Sequence, residues 1–486
     1  GGEEKTALHN HLELTSGTRF VESPDNKSGK KQNLQYPYFT SDSEAVVFFD
    51  SKEILKGAYN KTVRFVIPPF EIDSSNRSDG ASISFEGTFH AGDILPFEEK
   101  LVIQPDKSLG FEHKIPESGY KLYGGTGTLY NSLSLSYQGL RSNGKIDYLT
   151  TTVYSNDFIF YLDSTSAIAQ SGEIRPGNLG SASFPQGIMG ALRMKWLPKK
   201  DSMFLKNIGD PIELYNGTAK LQGAANITAK GAFGLGTLET RGSRVKSKQF
   251  SFSETKFSAR HGAFEILTDN PEKPAMAGED IALNFDLAAN VADVHPEKAG
   301  VAAIGFPYAQ MKTSITNAIW NLNDQKITMS KPENVAIEDS YFYSTRPDLD
   351  SLAFNATAGI YDINRYELNL QGIPYITVAD AEITPENEEI TILENSTLQE
   401  LKNAIVRIDT ANRYHTLTNG LITIVDRNKF TGSALYQLVN AAQDTFTIKF
   451  NQFELQNVPI AKNRFKTMTV SEGDVLEDQD FVMSPG

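Results

Sequence analysis

Alternation of apolar and polar residues with a period of two runs along nearly the whole chain, and it admits few folds. In a strand, successive side chains point to opposite faces, so such a pattern buries one face and leaves the other in water. Phe85, Gly87 and Phe89 alternate with polar residues, as do Leu133, Leu135 and Tyr137, then Phe158, Phe160 and Leu162. The pattern returns at Phe250 and Phe252, at Ile281, Leu283, Phe285 and Leu287, at Tyr366, Leu368 and Leu370, at Ala404, Val406 and Ile408, and at Phe446, Ile448 and Phe450. Gly, Asn, Asp and Pro punctuate these runs at the spacing of hairpins and short turns. Helical spacing is confined to Ser396 to Val406 and Gly432 to Ala442, and both segments are equally compatible with strands. The expected class is all-β: a repetitive antiparallel, solenoid-like array or stacked β-sandwiches, with few short helices.

An internal repeat sharpens this expectation. Leu122 to Phe160 aligns without a gap on Leu214 to Phe252, at a constant offset of 92. Leu122, Tyr123, Gly125, Thr126 and Leu129 match Leu214, Tyr215, Gly217, Thr218 and Leu221. Gly139 and Gly144 match Gly231 and Gly236, and Val153, Ser155, Phe158 and Phe160 match Val245, Ser247, Phe250 and Phe252. Turn glycines and inward apolar residues are what a repeated backbone needs. A third copy is read from Tyr414 to Ile448, where Asn419, Gly432 and Tyr436 fall on Asn131, Gly144 and Tyr148. Exposed connections are read at Ser74 to Gly80, Asn270 to Asp280 and Lys331 to Asp350, and cuts near 120, 270 and 350 divide the chain into 1–120, with a loose start, the repeat pair 121–270, a β connector 271–350 and a C-terminal repeat region 351–486.

Charge and cysteine content narrow the function. The 486 residues carry a net charge of −14 with the basic residues scattered, so no patch offers the counterion release that drives nucleic-acid binding. No run approaches the length of a membrane helix. The chain has no cysteine, which excludes thiolate metal sites, a cysteine nucleophile and disulfides, and fits an exported protein, in which an unpaired thiol risks oxidation. The opening Gly1-Gly2-Glu3-Glu4 and the closing Ser484-Pro485-Gly486 read as the ends of a fragment.

No motif of enzymatic chemistry stands out, and no catalytic, cofactor-binding or metal residue is assigned. His9 and His11, with Glu13, have the i, i+2 spacing that lets strand residues share a metal. Pro347 to Ser351 is the best candidate for a calcium loop. Ser181 and Ser183 lack the strand-to-helix switch of a nucleophile elbow, and Gly124 to Thr128 is a glycine turn rather than a phosphate cradle, since its counterpart at 216–220 is Asn-Gly-Thr-Ala-Lys. Acidic residues concentrate at Glu386 to Glu389, Asp339 to Asp350 and Glu472 to Asp480 as solvated loops. Trp196 and Trp320 are the two tryptophans a glycan platform would need exposed; the 29 Phe read mostly as core.

In these glycine-turn strands the chain resembles the long repetitive β-proteins exported by outer-membrane bacteria. The stretch Ala356 to Asp380 is similar to the strand repeat of the OstA/LptA-type lipopolysaccharide-transport family, departing from it at Pro374 and in the 92-residue unit. The resemblance implies a periplasmic β-groove that shields acyl chains. The expected function is a non-catalytic, extracytoplasmic structural or binding role at the cell envelope, in periplasm, outer membrane or cell surface, with a protein, lipid or glycan partner and no cofactor. The alternatives are a polysaccharide-active enzyme on a β-helix or sandwich and an LptA-like lipid conduit.

Overall fold

The structure, a computed structural model, describes residues 11–13, 18–21, 38–73, 84–105, 108–408, 415–461, 464–470 and 473–475. The fold is all-β. Among the described residues the paired strands run antiparallel, and the helical elements are single 3-10 turns of three residues. The two segments with helical spacing are strands, Leu401–Ile408 and Lys429–Val439, with Ala404, Val406, Phe430 and Ala434 buried. The chain forms two compact units, Gly1–Gly234 with Phe252–Glu254, and Leu235–Ser251 with Thr255–Gly486.

In the first unit one long strand feeds two lanes. Thr151–Phe160 pairs through Phe158 to Phe160 with Thr165–Ala169, and through Thr151 to Tyr154 with Ser171–Ile174. The first lane continues through Leu192–Leu197 and Ser202–Asn207, the second through Gly187–Met189 and Ile212–Leu214. Both close on another long strand, Ala219–Thr228. Alternation puts Ala167, Met194, Trp196, Met203 and Leu205 on the buried side of the first lane and Ile174, Met189, Ile212 and Leu214 on that of the second. Trp196 is fully buried against Tyr123 and Tyr148, at ring separations of 5.3 Å each. Its ring lies so close over Gly127 that a Cβ there would meet it at 2.3 Å.

The second unit uses the same device. Met276–Asp286 pairs with Val291–Pro296 through residues 281 to 286 and with Ile304–Phe306 through Ala277 and Gly278. One lane runs through Val291–Pro296, Asn317–Asn321, Lys326–Ser330, Ala358–Asp362, Glu367–Gln371 and Ile390–Leu393. The other runs through Ile304–Phe306, Met311–Thr313, Tyr341–Ser344 and Ala353–Asn355. The chain alternates between them hairpin by hairpin, and the lanes share a core in which Phe306 meets Tyr361 at 4.7 Å.

The repeat of 92 residues coincides with structure residue for residue. Gly127–Ser136, Gly139–Tyr148 and Thr151–Phe160 correspond to Ala219–Thr228, Gly231–Thr240 and Ser243–Phe252. The buried Tyr123 hydroxyl donates to the carbonyls of Tyr161 and Ser164, at 3.2 and 2.9 Å. Tyr215, 92 residues on, is bonded to the backbone of Ser253, the equivalent of Tyr161, and burial raises the pKa of both hydroxyls. Gly144 and Gly236 hold φ of +130° and +132°, open to glycine alone; Gly432 holds +138° but stands opposite Ile422 rather than Asn419, so the third alignment is out of register with the first. At Gly144 a bulge opposes Asn131, itself at φ +90°.

A second, shorter repeat was not read from the sequence. Asn317–Asn321 and Lys326–Ser330 recur as Ala358–Asp362 and Glu367–Gln371 at an offset of 41, with Trp320 and Tyr361 at the same buried position. Each four-residue connection ends on a left-handed residue, Gln325 or Tyr366, and starts from an Asn or Asp whose Oδ1 accepts two backbone N–H groups. Asp286 to Asn290 forms the same turn. Leu322 N–H then donates to the Asn290 carbonyl, and Ile363 N–H to the Gln325 carbonyl, both at 3.0 Å, so each turn is anchored to the one before it.

Two outcomes are expected. Gly144→Ala must hold a forbidden φ with its Cβ 2.3 Å from the Tyr130 carbonyl oxygen, and denaturant unfolding should show a loss of about 3 kcal/mol. Glu297 accepts from the Arg260 guanidinium and from the His261 N–H at a bulge, and these bonds pull its pKa from 4.5 to about 2. The folded state therefore binds this proton less readily than the unfolded chain, so its stabilisation is complete above pH 4.5 and is lost as pH falls toward 2. Glu297→Gln should flatten the acid-unfolding profile in that window, read by circular dichroism.

Candidate functional site

The candidate metal and phosphate motifs do not assemble. His9 lies outside the described residues, as do the side chains of His11 and Glu13. In Pro347 to Ser351, Asp348 is paired with Arg346, and Asp350 takes a hydrogen bond from Asn428 at 3.4 Å, so the oxygens do not converge. No group of three or more metal-ligating side chains forms among the described residues. Gly124 and Gly125 sit in a 3-10 turn with φ of +73° and +93°, leading into a strand. Ser183 lies on a short strand and accepts from Glu254 N–H. Trp196 and Trp320 are buried core residues, which leaves no tryptophan for a sugar platform. Glu386–Glu388 is an exposed 3-10 turn; the side chains of Glu472 to Asp480 lie outside the described residues.

What the sequence did not single out is a cleft of about 560 Å³ in the first unit, between Val63–Ile67, Ser84–Ala91 and Ile94–Ile103. Its wall carries Glu44, Glu86, Glu98 and Glu99 against one cation, Lys100. Register explains the arrangement. Gly87 pairs with Glu99, Thr88 with Glu98, and Glu86 with Lys100, so alternation puts Glu86, Glu98 and Lys100 on the outward face and Glu99, in line with buried Phe97 and Leu101, on the inward one. Gly87 is required there, since a Cβ would sit 2.2 Å from the Val66 carbonyl oxygen.

Glu99 is held from both sides. Its Oε1 accepts from the Lys100 N–H at 2.8 Å and its Oε2 lies 2.5 Å from His113 Nδ1. His113 Nε2 lies 2.7 Å from the Tyr120 hydroxyl. All three groups are satisfied when Nδ1–H donates to Glu99 and the Tyr120 O–H donates to Nε2, which fixes one imidazole tautomer. The ring is stacked on Phe97 at 4.3 Å, above a cluster of Phe97, Phe89 and Phe111 with centroids 5.0 to 5.5 Å apart. Burial first, and the Glu99 charge second, raise the Tyr120 pKa. The result is a rigid carboxylate–imidazole–phenol chain on the inward face, behind an outward wall where Glu86 and Glu98 stand around Lys100 and favour cations and amines.

Comparison of the chain with protein-family models, with curated proteins and with solved structures returned no match. The function therefore rests on this chain's own geometry. Only the sequence distance hid the relay: Glu99, His113 and Tyr120 are spread over three strands, and no local spacing marks them.

Replacing Glu99 by Gln removes one of the two causes that raise the Tyr120 pKa. Tyr120 should then ionise at lower pH, though still above the ordinary 10.0 because burial persists. Nuclear magnetic resonance titration of ring-labelled tyrosine, assigned with Tyr120→Phe, reads this directly; an unchanged midpoint contradicts the relay.

Proposed function

We propose that the chain is a non-catalytic structural or binding protein of the bacterial cell envelope, working outside the cytoplasm and presenting an extended β surface to a partner. The observation that carries the reading is the division of labour between strand faces. Inward faces are packed with fully buried Trp196, Trp320, Tyr361 and Phe residues, so the interior is committed to holding the lanes together. Outward faces are mostly polar over six successive strands in one lane of the second unit, interrupted by the exposed Ile319 and Ile360. The complete lack of cysteine supports an oxidising compartment. The cleft described above is lined by carboxylates, which suits a lipid conduit poorly.

The ordered Glu99–His113–Tyr120 chain favours one second reading, a glycan-active enzyme, because a carboxylate, an imidazole and a phenol in line are the material of acid–base chemistry. One experiment separates the two. Purified chain is incubated with soluble polysaccharides and, separately, with a bacterial cell-envelope fraction. The binding reading predicts co-sedimentation with the envelope and no release of reducing ends. Release of reducing ends that Glu99→Gln abolishes would overturn it in favour of hydrolysis.

A further inference from the structure

In the first unit the outer face of the first lane carries an unneutralised basic patch. Arg193 and Lys195 project from Leu192–Leu197, and Lys206 projects from the neighbouring Ser202–Asn207; all three are exposed. Arg193 stands directly opposite Lys206, and Lys195 opposite Phe204. Like charges facing one another across strands destabilise a sheet. Ile168, opposite Arg193, is 64% exposed, and Phe204 is 41% exposed. On these strands the two rows are completed by Ser166, Asn226 and Ala224, and the nearest carboxylate on Thr151–Phe160, Asp157, is taken by Arg141 at 2.5 Å. No ion pair to Arg193, Lys195 or Lys206 forms among the described residues.

The second lane shows the ordinary solution. There Lys220 stands opposite Glu213, 3.9 Å away, and Arg175 lies 3.8 Å from Glu173. One lane therefore neutralises its cations internally while the other spends stability to keep three together, on a chain of net charge −14. A bound anion would relieve that repulsion.

We propose that this face binds a linear anionic polysaccharide. The proposal rests on the binding role argued above and names its ligand class. Cations on adjacent strands lie roughly 5 Å apart, and those two residues apart on one strand roughly 7 Å, a regular grid suited to a polymer that carries a charge on each unit. The Arg193 fork takes a carboxylate or sulfate through two parallel hydrogen bonds, the lysines act as point charges, and the half-exposed Phe204 ring offers a surface for a sugar ring. An anionic bilayer fits less well: the net charge repels it, and two apolar side chains on a flat sheet bury too little area to insert.

The test measures binding of the whole chain to polygalacturonate, dextran sulfate, uncharged dextran, polyglutamate and phosphatidylglycerol vesicles, at low and raised salt. Binding to polygalacturonate or dextran sulfate is expected, weakening with salt; the preferred polymer tells carboxylate from sulfate recognition. Arg193→Ala/Lys195→Ala/Lys206→Ala should weaken it at least about tenfold, the equivalent of 1.4 kcal/mol, with no fall in Tm. Lys206→Glu, which places opposite charges across the strands, should keep the fold and also lose binding. Unchanged binding by either variant, equal binding of uncharged dextran, absence of binding to both anionic polysaccharides, or preference for vesicles or polyglutamate would overturn the proposal. Reducing ends released in the same assay would sink the non-catalytic reading and leave the assignment of this face standing.

Discussion

Everything in this chain depends on where strand backbones find their hydrogen bonds. A single hairpin buries too little to be stable, and its outer edges expose unpaired N–H and C=O groups. Here each hairpin lies beside the previous one in its lane, and the turn is anchored as well as the strands: Leu322 N–H reaches the Asn290 carbonyl and Ile363 N–H the Gln325 carbonyl. The anchor works because Asp286, Asn321 and Asp362 hold three turns in one shape, leaving the left-handed residue's carbonyl pointing to the next rung. Stacking in turn aligns the inward rows, so Trp320 and Tyr361 occupy equivalent places and the core extends without a new design for each hairpin.

Much of this was legible in the residues. Period-two alternation marked the buried rows correctly at Phe158 and Phe160, at Leu283 and Phe285, and at Leu368 and Leu370, because a half-buried strand leaves no other pattern. The 92-residue repeat was legible because it preserves positions that tolerate few residues: glycine at φ near +130°, and a tyrosine whose hydroxyl ties down a neighbouring loop. The 41-residue repeat escaped because its turn is set by backbone geometry that many residues satisfy. Gln325 and Tyr366 share a left-handed conformation that neither residue type advertises, and Trp320 and Tyr361 match in role rather than identity. Division between two lanes was illegible for a related reason: a strand that pairs with one neighbour along half its length and another along the rest reads as one continuous alternation.

Sites followed the same rule. Local spacing pointed to His9 and His11 and to the Asp-rich loop after Pro347, yet Asp348 is spent on Arg346 and the loop oxygens diverge. The groups that do assemble come from separate strands. Glu99, His113 and Tyr120 meet because three strands present inward residues at one level, and Arg193 meets Lys206 through register alone. Side chains left over from the packing problem are therefore the informative ones, and they lie at a cleft wall and on an outer sheet face rather than in the core.

Hydroxyl-radical footprinting of the whole chain, free and bound to a cell-envelope fraction, tests most directly the claim that the interior is filled and the outer faces do the binding. The account predicts that Trp196, Trp320 and Tyr361 stay unmodified in both states, while Ile168 and Phe204 are oxidised in the free chain and protected in the bound one. Oxidation of the three core aromatics in the free chain, or protection confined to the carboxylate-lined cleft, would contradict it.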